Sequence, residues 1–188
     1  LLLSMALTPS NPFPVGTSAP EFNLEDTVSG KRISLQEVKG ENGTVVMFIC
    51  NHCPYVIHVN HELVRLANQY SEKGIGFVAI SSNDVDRYPQ DAPELMELNA
   101  KENNYPFPYL YDETQEVAKF YDAACTPDFY LFDSNLKSMY HGQLDNSRPG
   151  NSIPVDGSSI RDAIERLLKN QEPIKNQKFS IGCGIKWK

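Results

Sequence analysis

The chain has 188 residues, of which 40% are hydrophobic and 22% are charged, so it is long enough to bury the core of one globular domain. Its formal net charge is −7, which provides no positive field to attract nucleic acid or an anionic membrane surface. The four cysteines are even in number, but a domain of this size does not need a disulfide framework. We therefore expect protein or small-molecule partners.

Residues 1–14 are predicted to form an irregular N-terminal arm. The run from Leu1 to Leu7 is largely apolar but too short to span a bilayer. It fits either the end of a secretory h-region or an extension before a natural start at Met5. The absence of a basic n-region favours the extension and predicts a cytoplasmic protein. The proline-rich residues 8–20 are expected to lie irregularly on the surface.

Apolar periodicity then predicts alternating strands and helices. Up to residue 81 the predicted elements are a hairpin turning at Ser29-Gly30-Lys31, a short helix at Leu35 to Val38, a strand at Val45 to Ile49, a helix from Cys53-Pro54 to about Tyr70, and a strand at Ile75 to Ser81. A strand, a crossover helix and a second strand form a right-handed unit with parallel pairing.

Two thiols, Cys50 and Cys53, lie at the turn between the first buried strand and its helix. Unpaired N–H groups and the helix dipole stabilise a thiolate there, and Cys-x-x-Cys turns lower thiol pKa values. One thiolate can attack a disulfide and the other thiol can resolve the mixed disulfide. The pair therefore predicts redox chemistry, and two structural thiols or half of a zinc site are the alternatives.

His52 and Asn51 separate the two cysteines, and we predict that both modify the thiol pKa values. An imidazole or imidazolium beside the sulfurs would favour the thiolate, although His52 could also be an exposed turn residue. His58 and His61 fall one to two helical turns beyond the thiols. This spacing does not suit a metal site, and we expect neither a metal nor a cofactor.

The second half of the chain continues the alternation. Ser82-Asn83-Asp84 is predicted to be an ordinary turn at the edge of the sheet that carries the cysteines. The later elements are a helix at Pro93 to Asn103, at best an edge strand at Tyr105 to Leu110, a helix capped by Thr114, a strand opening at Pro127, a hairpin partner at Lys137 to Gly142, and a last helix capped by Asp156 or Ser158 and ending at Asn170.

Pro127 opens its strand because a proline cannot donate to a sheet ladder. A cis bond before it would leave the backbone of Thr126 open. Cys125 stands two residues earlier. It is either a third redox thiol or a small apolar residue that packs in the core.

In combination, these motifs resemble the peroxiredoxin-like proteins of the alkyl hydroperoxide reductase/thiol-specific antioxidant superfamily, which have the thioredoxin fold. The resemblance covers roughly Val15 to Leu168 and is carried by Ala19-Pro20-Glu21-Phe22, Phe48 to Pro54, and Phe129 to Asp133. It implies an α/β three-layer sandwich with a central mixed sheet and helices on both faces. On this basis residues 15–170 form a thioredoxin-like domain and residues 171–188 form a C-terminal tail.

The chain departs from the peroxiredoxin pattern at three positions that the resemblance implies are functional. Cys53 takes the peroxidatic position, but Cys50, Met47 and Pro127 stand where the family has Thr, Pro and Arg. Peroxide cleavage needs donors that stabilise the departing oxygen. The residues that replace these donors resemble the thioredoxin set, in which Thr126-Pro127 implies a docking edge for a partner's extended chain.

Our prediction is therefore a thiol–disulfide oxidoreductase with Cys50 as the attacking thiolate and Cys53 as the resolving thiol. Pro54 at the first helical position would make Cys53 the N-cap, so the alternative is a thiol peroxidase with Cys53 peroxidatic and Cys50 resolving. A further alternative is a non-catalytic or metal-chaperone protein of the same fold, for which His141 is the only remote candidate ligand.

The C-terminal tail contains Cys183 between two glycines. Its apolar side chains predict that the tail docks on the domain. If it docks over the Cys50 turn, Cys183 could be a resolving thiol. The alternative is a tail that packs for stability or for a dimer contact.

Overall fold

The computed structural model describes residues 7–188, so the alternatives for Leu1 to Ala6 lie outside the described residues. The main sheet has seven strands in the order β3-β2-β6-β5-β4-β8-β9. Their bounds are β2 Asn23–Asp26, β3 Arg32–Ser34, β4 Gly43–Phe48, β5 Ile75–Ser81, β6 Tyr109–Tyr111, β8 Asp128–Asp133 and β9 Ser138–Gly142.

The centre of the sheet is the pair of strands predicted on either side of the first long helix. All six residues of β4 are buried, because the strand has apolar neighbours on both faces. β4 runs parallel to β5, from Gly43 opposite Ile75 to Phe48 opposite Ile80, and antiparallel to β8. The predicted parallel unit and the predicted hairpin of β8 with β9 are both confirmed.

Helices cover both faces of the sheet, as a three-layer sandwich requires. Successive residues of β4 point to opposite faces, so Val45 and Met47 belong to one apolar cluster whereas Val46 and Phe48 belong to the other. The first cluster includes side chains of α2, α3 and α5, and the second includes side chains of α1 and α4. The helices are α1 Leu35–Val38, α2 Pro54–Ser71, α3 Pro93–Glu102, α4 Glu116–Phe120 and α5 Ser158–Leu168.

A second, small sheet joins the two ends of the chain. Its order is β1-β10-β7, where β1 is Leu7–Pro9, β10 is Ile181–Gly184 and β7 is Cys125–Thr126. We predicted an irregular N-terminal arm. The structure differs, because β1 lies in this arm and pairs with β10. None of the helices within residues 7–188 is long and apolar enough to cross a membrane.

Three local predictions differ from the structure. β6 is not an edge strand, since it lies between β2 and β5. Only the segment with prolines just before β6 is irregular. The N-cap of α4 is Gln115 at φ 64° instead of Thr114. The N-cap of α5 is Gly157, also in the left-handed region at φ 64°, and the Asp156 carboxylate instead accepts from the Ser158 N–H at 2.9 Å.

Candidate active site

Both cysteines of the Cys-x-x-Cys turn lie beneath the surface at the carboxyl end of β4. Cys53 is the N-cap of α2 and Pro54 is the first helical residue, as the sequence predicts. Cys50 is 1% exposed and Cys53 is 0% exposed. A reagent therefore reaches these sulfurs only after some covering segment moves.

The C-terminal tail covers the Cys-x-x-Cys turn. This is the placement under which we considered Cys183 as a resolving thiol. Strand β10 pairs with β7 so that Cys183 stands opposite Thr126. The Sγ atoms of Cys183 and Cys53 are 2.7 Å apart, about 0.7 Å more than a disulfide bond length. No disulfide joins any of the four cysteines.

Thr126 contacts both sulfurs of the turn. Its hydroxyl lies 3.4 Å from Cys50 Sγ and its carbonyl oxygen lies 3.3 Å from Cys53 Sγ. The Thr126–Pro127 peptide bond is cis, as predicted. As a thiol, Cys53 can donate to this carbonyl, whereas as a thiolate it accepts from the S–H groups around it.

The pKa values of the neighbouring thiols are shifted in opposite directions. The Cys183 thiol and then the Cys50 thiol lower the pKa of Cys53 by hydrogen bonding to its thiolate, assisted by the Val56 N–H and opposed by burial. The hydrogen bond to Cys53, burial and the charge of Asp91 raise the pKa of Cys50. The hydrogen bond to Cys53 and burial also raise the pKa of Cys183. Among the three sulfurs, Cys53 is therefore the one whose thiolate is favoured.

Asp91 holds the backbone of the turn, a role that the sequence did not predict. Its side chain is fully buried at the end of the 3-10 helix Pro89–Asp91. The carboxylate accepts from the backbone N–H groups of Asn51 at 2.8 Å and His52 at 3.3 Å. Nothing in the spacing could have indicated this contact, because about 40 residues separate the two segments.

His52 also binds Asp91, through Nδ1 at 2.6 Å from Oδ2, and its ring stacks on Tyr88 with the centroids 5.7 Å apart. The predicted effect of His52 on the thiols stays a prediction. Asn51 bonds the Gln90 carbonyl and accepts from the Tyr109 hydroxyl, each at 3.0 Å. Both turn residues are thereby fixed to neighbouring elements.

Cys50, His52 and Asp91 place one potential metal-ligand atom each within 4.8 Å of one another. The Asp91 carboxylate already accepts four hydrogen bonds, the fourth from Asn83 Nδ2 at 2.8 Å. A metal ion there would have to displace the bond from His52 and compete with the others. The donor set therefore fits a positioning network better than a metal cage.

Asn83 connects this network to the C-terminal tail. Its Oδ1 accepts from the Lys186 backbone N–H at 2.9 Å, and the Lys186 carbonyl accepts from the Asp84 N–H at 2.8 Å. Lys186 Nζ also lies 5.5 Å from the centre of the Tyr88 ring. The segment that we predicted to be an ordinary turn thus ties the tail to the Cys-x-x-Cys turn.

The other candidate residues lie elsewhere. Cys125 is fully buried, and burial with the charge of Asp128 raises its pKa. His141 Nε2 lies 2.9 Å from Asp128 Oδ2 in the core. His58 bonds the Ser147 hydroxyl at 2.8 Å, and His61 is exposed. Among the described cysteines, only Cys50, Cys53 and Cys183 come together at the turn.

A cis proline beside a Cys-x-x-Cys turn, on a mixed sheet between two helical layers, defines a thioredoxin-fold protein with a dithiol site. The family model described as the AhpC/TSA family matches residues 15–140. The chain belongs to this family, as the resemblance implied.

Solved structures share the fold. An uncharacterized conserved protein from Geobacillus kaustophilus is 60% identical, with 99% of this chain and 98% of that chain covered and a TM-score of 0.97. The thioredoxin domain of a thiol-disulfide oxidoreductase from Bacteroides vulgatus is 18% identical, with 84% and 99% covered and a TM-score of 0.64. The second likeness confirms the thioredoxin fold.

A curated relative is similar over part of the chain. The thiol-disulfide oxidoreductase ResA of Halalkalibacterium halodurans is 27% identical over 125 residues, which are 59% of this chain and 70% of that protein.

Proposed function

We propose that the protein is a thiol–disulfide oxidoreductase that works through Cys50 and Cys53. The observation that carries the proposal is the pair of adjacent buried thiols at the start of α2 whose pKa values are shifted in opposite directions. One sulfur is prepared as a nucleophile and its neighbour is kept protonated until it is needed. The description of the relative ResA as a thiol-disulfide oxidoreductase supports the same class of reaction.

The electrostatics favour Cys53 as the nucleophile, which is the reverse of the order that we first predicted. The Cys53 thiolate attacks a partner disulfide, forms a mixed disulfide with one partner sulfur, and releases the other as a thiolate that takes up a proton. The Cys50 thiolate then attacks Cys53 Sγ and releases the second partner sulfur. Two protein thiols are oxidised and one partner disulfide is reduced to two thiols.

The first step prepares the second. The hydrogen bond to Cys53 and the negative charge of its thiolate contribute to the raised pKa of Cys50. Both effects end when Cys53 becomes part of a mixed disulfide. The Thr126 hydroxyl, 3.4 Å from Cys50 Sγ, remains and lowers the pKa of Cys50. Cys50 therefore becomes easier to deprotonate at the stage at which it must attack.

Partner docking at Thr126 and Pro127 is part of the proposal. The edge of β7 at Thr126 is already paired with β10. An extended partner chain would have to displace β10 to form the same backbone hydrogen bonds. We therefore expect slow reaction with folded proteins and faster reaction with small disulfides that can enter beside the tail.

The test is oxidation of the reduced protein by oxidised glutathione, stopped by alkylation and mapped by mass spectrometry. Wild type and Cys125→Ser are expected to form the Cys50–Cys53 disulfide at equal rates. Cys53→Ser should react at least about thirtyfold more slowly, because the thiolate is the nucleophile and an ordinary thiol is only a few per cent ionised at neutral pH. Burial and the charge of Asp91 raise the pKa of the remaining Cys50 above that ordinary value. If Cys53→Ser still forms a glutathione adduct rapidly on Cys50, the order of attack is the one first predicted.

A thiol peroxidase with Cys53 peroxidatic is the second candidate, and the lowered pKa of Cys53 is the observation that favours it. Stoichiometric hydrogen peroxide given to Cys50→Ser distinguishes the two. Oxidation of Cys53 at low peroxide, seen as sulfenic acid or as the disulfide that sulfenic acid forms with the neighbouring Cys183, would support the peroxidase. A reaction much slower than that with oxidised glutathione would support the oxidoreductase.

A further inference from the structure

Cys183 lies in direct contact with the sulfur that the proposed function makes the nucleophile. Its Sγ is 2.7 Å from Cys53 Sγ, and the Cys183 side chain is itself buried at 3% exposure. The contact is held by backbone pairing on both sides of β10, with β1 and with β7. The distance is therefore set by a sheet and not by a free chain end.

The neighbouring glycine makes this approach possible. A Cβ atom on Gly182 would lie 2.0 Å from the Thr126 carbonyl oxygen, which is inside any permitted contact. Only a glycine lets β10 come this close to Thr126. The same oxygen lies 3.3 Å from Cys53 Sγ, so the close approach brings the strand to the sulfur.

Cys53 is thus the central sulfur of three. It exchanges hydrogen bonds with Cys50 on its own turn and with Cys183 on the tail. Within residues 7–188, Cys125 is affected by the charge of Cys53 but forms no hydrogen bond with another sulfur, although it is the neighbour of Thr126 in the chain. Of the two cysteines outside the turn, the geometry selects Cys183.

We propose that Cys183 is a second resolving thiol for Cys53, through which the disulfide formed at the Cys-x-x-Cys turn passes to the C-terminal strand. This inference rests on the proposed function, because Cys53 must first be oxidised. It adds a third reacting residue, located 130 positions from Cys53 in the chain.

The exchange needs no further oxidant. The Cys183 thiolate attacks Cys53 Sγ, the Cys50–Cys53 bond breaks, and Cys50 leaves as a thiolate that takes the proton given up by Cys183. One disulfide is lost and one is formed, with no net change in oxidation state. From a mixed disulfide on Cys53, the same attack instead releases the partner's thiolate.

Burial keeps the pKa of Cys183 raised, but Cys183 becomes easier to ionise once Cys53 is neutral. The hydrogen bond and the charge of Cys53 contribute to the raised pKa of Cys183, and both end on oxidation of Cys53, while the charge of Lys186 lowers that pKa throughout. A Cys53–Cys183 disulfide would also fasten β10 across the edge at Thr126. The two possible disulfides would therefore leave the docking edge in different states.

The decisive variant is Cys50→Ser, which removes the first resolving thiol and keeps Cys183. The reduced variant is treated with oxidised glutathione, alkylated and digested with trypsin. Cleavage after lysine and arginine puts Cys53 on residues 40–65, Cys183 on residues 179–186 and Cys125 on residues 120–137. A Cys53–Cys183 disulfide therefore appears as two linked peptides, which an adduct with glutathione cannot imitate.

The expected result is the linked pair 40–65 and 179–186 as the main product of Cys50→Ser. The double variant Cys50→Ser/Cys183→Ser should instead accumulate glutathione on Cys53, and the matched control Cys50→Ser/Cys125→Ser should still give the linked pair. A stable glutathione adduct on Cys53 of Cys50→Ser, with Cys183 alkylated, would overturn the inference and leave the proposed function intact. Failure of Cys53 to oxidise even in the wild type would overturn both.

Discussion

Gly182 packs against the backbone of Thr126 so closely that the strand carrying Cys183 has no room for a side chain at this position. A methyl group there would stand 2.0 Å from the Thr126 carbonyl oxygen. A single small substitution at Gly182 should therefore move the tail away from the docking edge at Thr126 and leave all four thiols in place.

Gly182→Ala should loosen β10 and expose Cys53. Overpacking of this kind costs about 1–3 kcal/mol, and each 1.4 kcal/mol changes a population about tenfold. We therefore expect alkylation of Cys53 by iodoacetamide to become roughly tenfold faster, measured by mass spectrometry of residues 40–65.

Gly184→Ala is the matched control on the same strand. A Cβ atom at Gly184 would meet a side-chain oxygen, that of Thr8, at 2.9 Å, whereas at Gly182 it would meet a backbone oxygen at 2.0 Å, so a smaller shift relieves the contact at Gly184. This variant should alkylate within about twofold of the wild type. Equal rates in both variants would mean that β10 does not limit access to Cys53.

Asp91→Asn tests the network beneath the turn. The substitution keeps the shape but removes the charge that accepts from two backbone N–H groups and from His52. Hydrogen bonds to charged groups contribute about 1.5–3 kcal/mol each, so we expect a loss of about 2 kcal/mol in the free energy of unfolding, measured by urea denaturation. The pKa of Cys50 should fall, because the charge of Asp91 contributes to raising it.

The control for Asp91→Asn is Asp86→Asn, at an exposed position in the same loop. It removes the same charge without touching the turn and should change stability by less than about 0.5 kcal/mol. If the two variants lose equal stability, Asp91 does not hold the turn in the way its contacts indicate.

The sequence predicted what neighbouring residues encode. An apolar run predicts strand β4, and the helical spacing of apolar residues after it predicts helix α2. The two thiols lie in the turn between these elements. The site is completed by partners far away in the chain: Asp91 lies about 40 residues from the turn, and Cys183 lies 130 residues from Cys53. Periodicity reports only which faces are apolar, so it could not show that a tail strand would pair with the edge at Thr126.

His141→Phe addresses a residue that the sequence offered as a metal ligand. His141 instead bonds the fully buried Asp128 at 2.9 Å and stacks on Tyr130 with the centroids 4.1 Å apart. Phenylalanine keeps the stacking but leaves the carboxylate short of one partner, and breaking such a buried pair costs about 3–5 kcal/mol. Urea denaturation should show a loss near the lower figure, since Tyr130 still donates to Asp128.

His61→Phe is the comparison for this variant, because His61 is exposed on α2. It should change the free energy of unfolding by less than about 0.5 kcal/mol. A similar loss in both variants would mean that exchanging histidine for phenylalanine costs stability at either position, and that the bond to Asp128 does not determine the result.

Cys183→Ala should raise the pKa of Cys53. The Cys183 thiol is the largest of the groups that lower this pKa, while Cys50 and the Val56 N–H remain in the variant. A lowered pKa keeps the thiolate populated as the solution is acidified, so in the wild type the alkylation rate of Cys53 should stay level through neutral pH. In Cys183→Ala the rate should begin to fall at a higher pH, by about tenfold for each unit below the pKa.

The shape of this pH profile, and not the absolute rate, is the measurement, because removal of the Cys183 side chain also changes access. Cys125→Ala is the control, since Cys125 is not among the groups that shift the pKa of Cys53. Its profile should superimpose on that of the wild type. If the profile of Cys183→Ala also superimposes, the tail thiol does not donate to the Cys53 thiolate, and the low pKa must come from the start of the helix and from Cys50 alone.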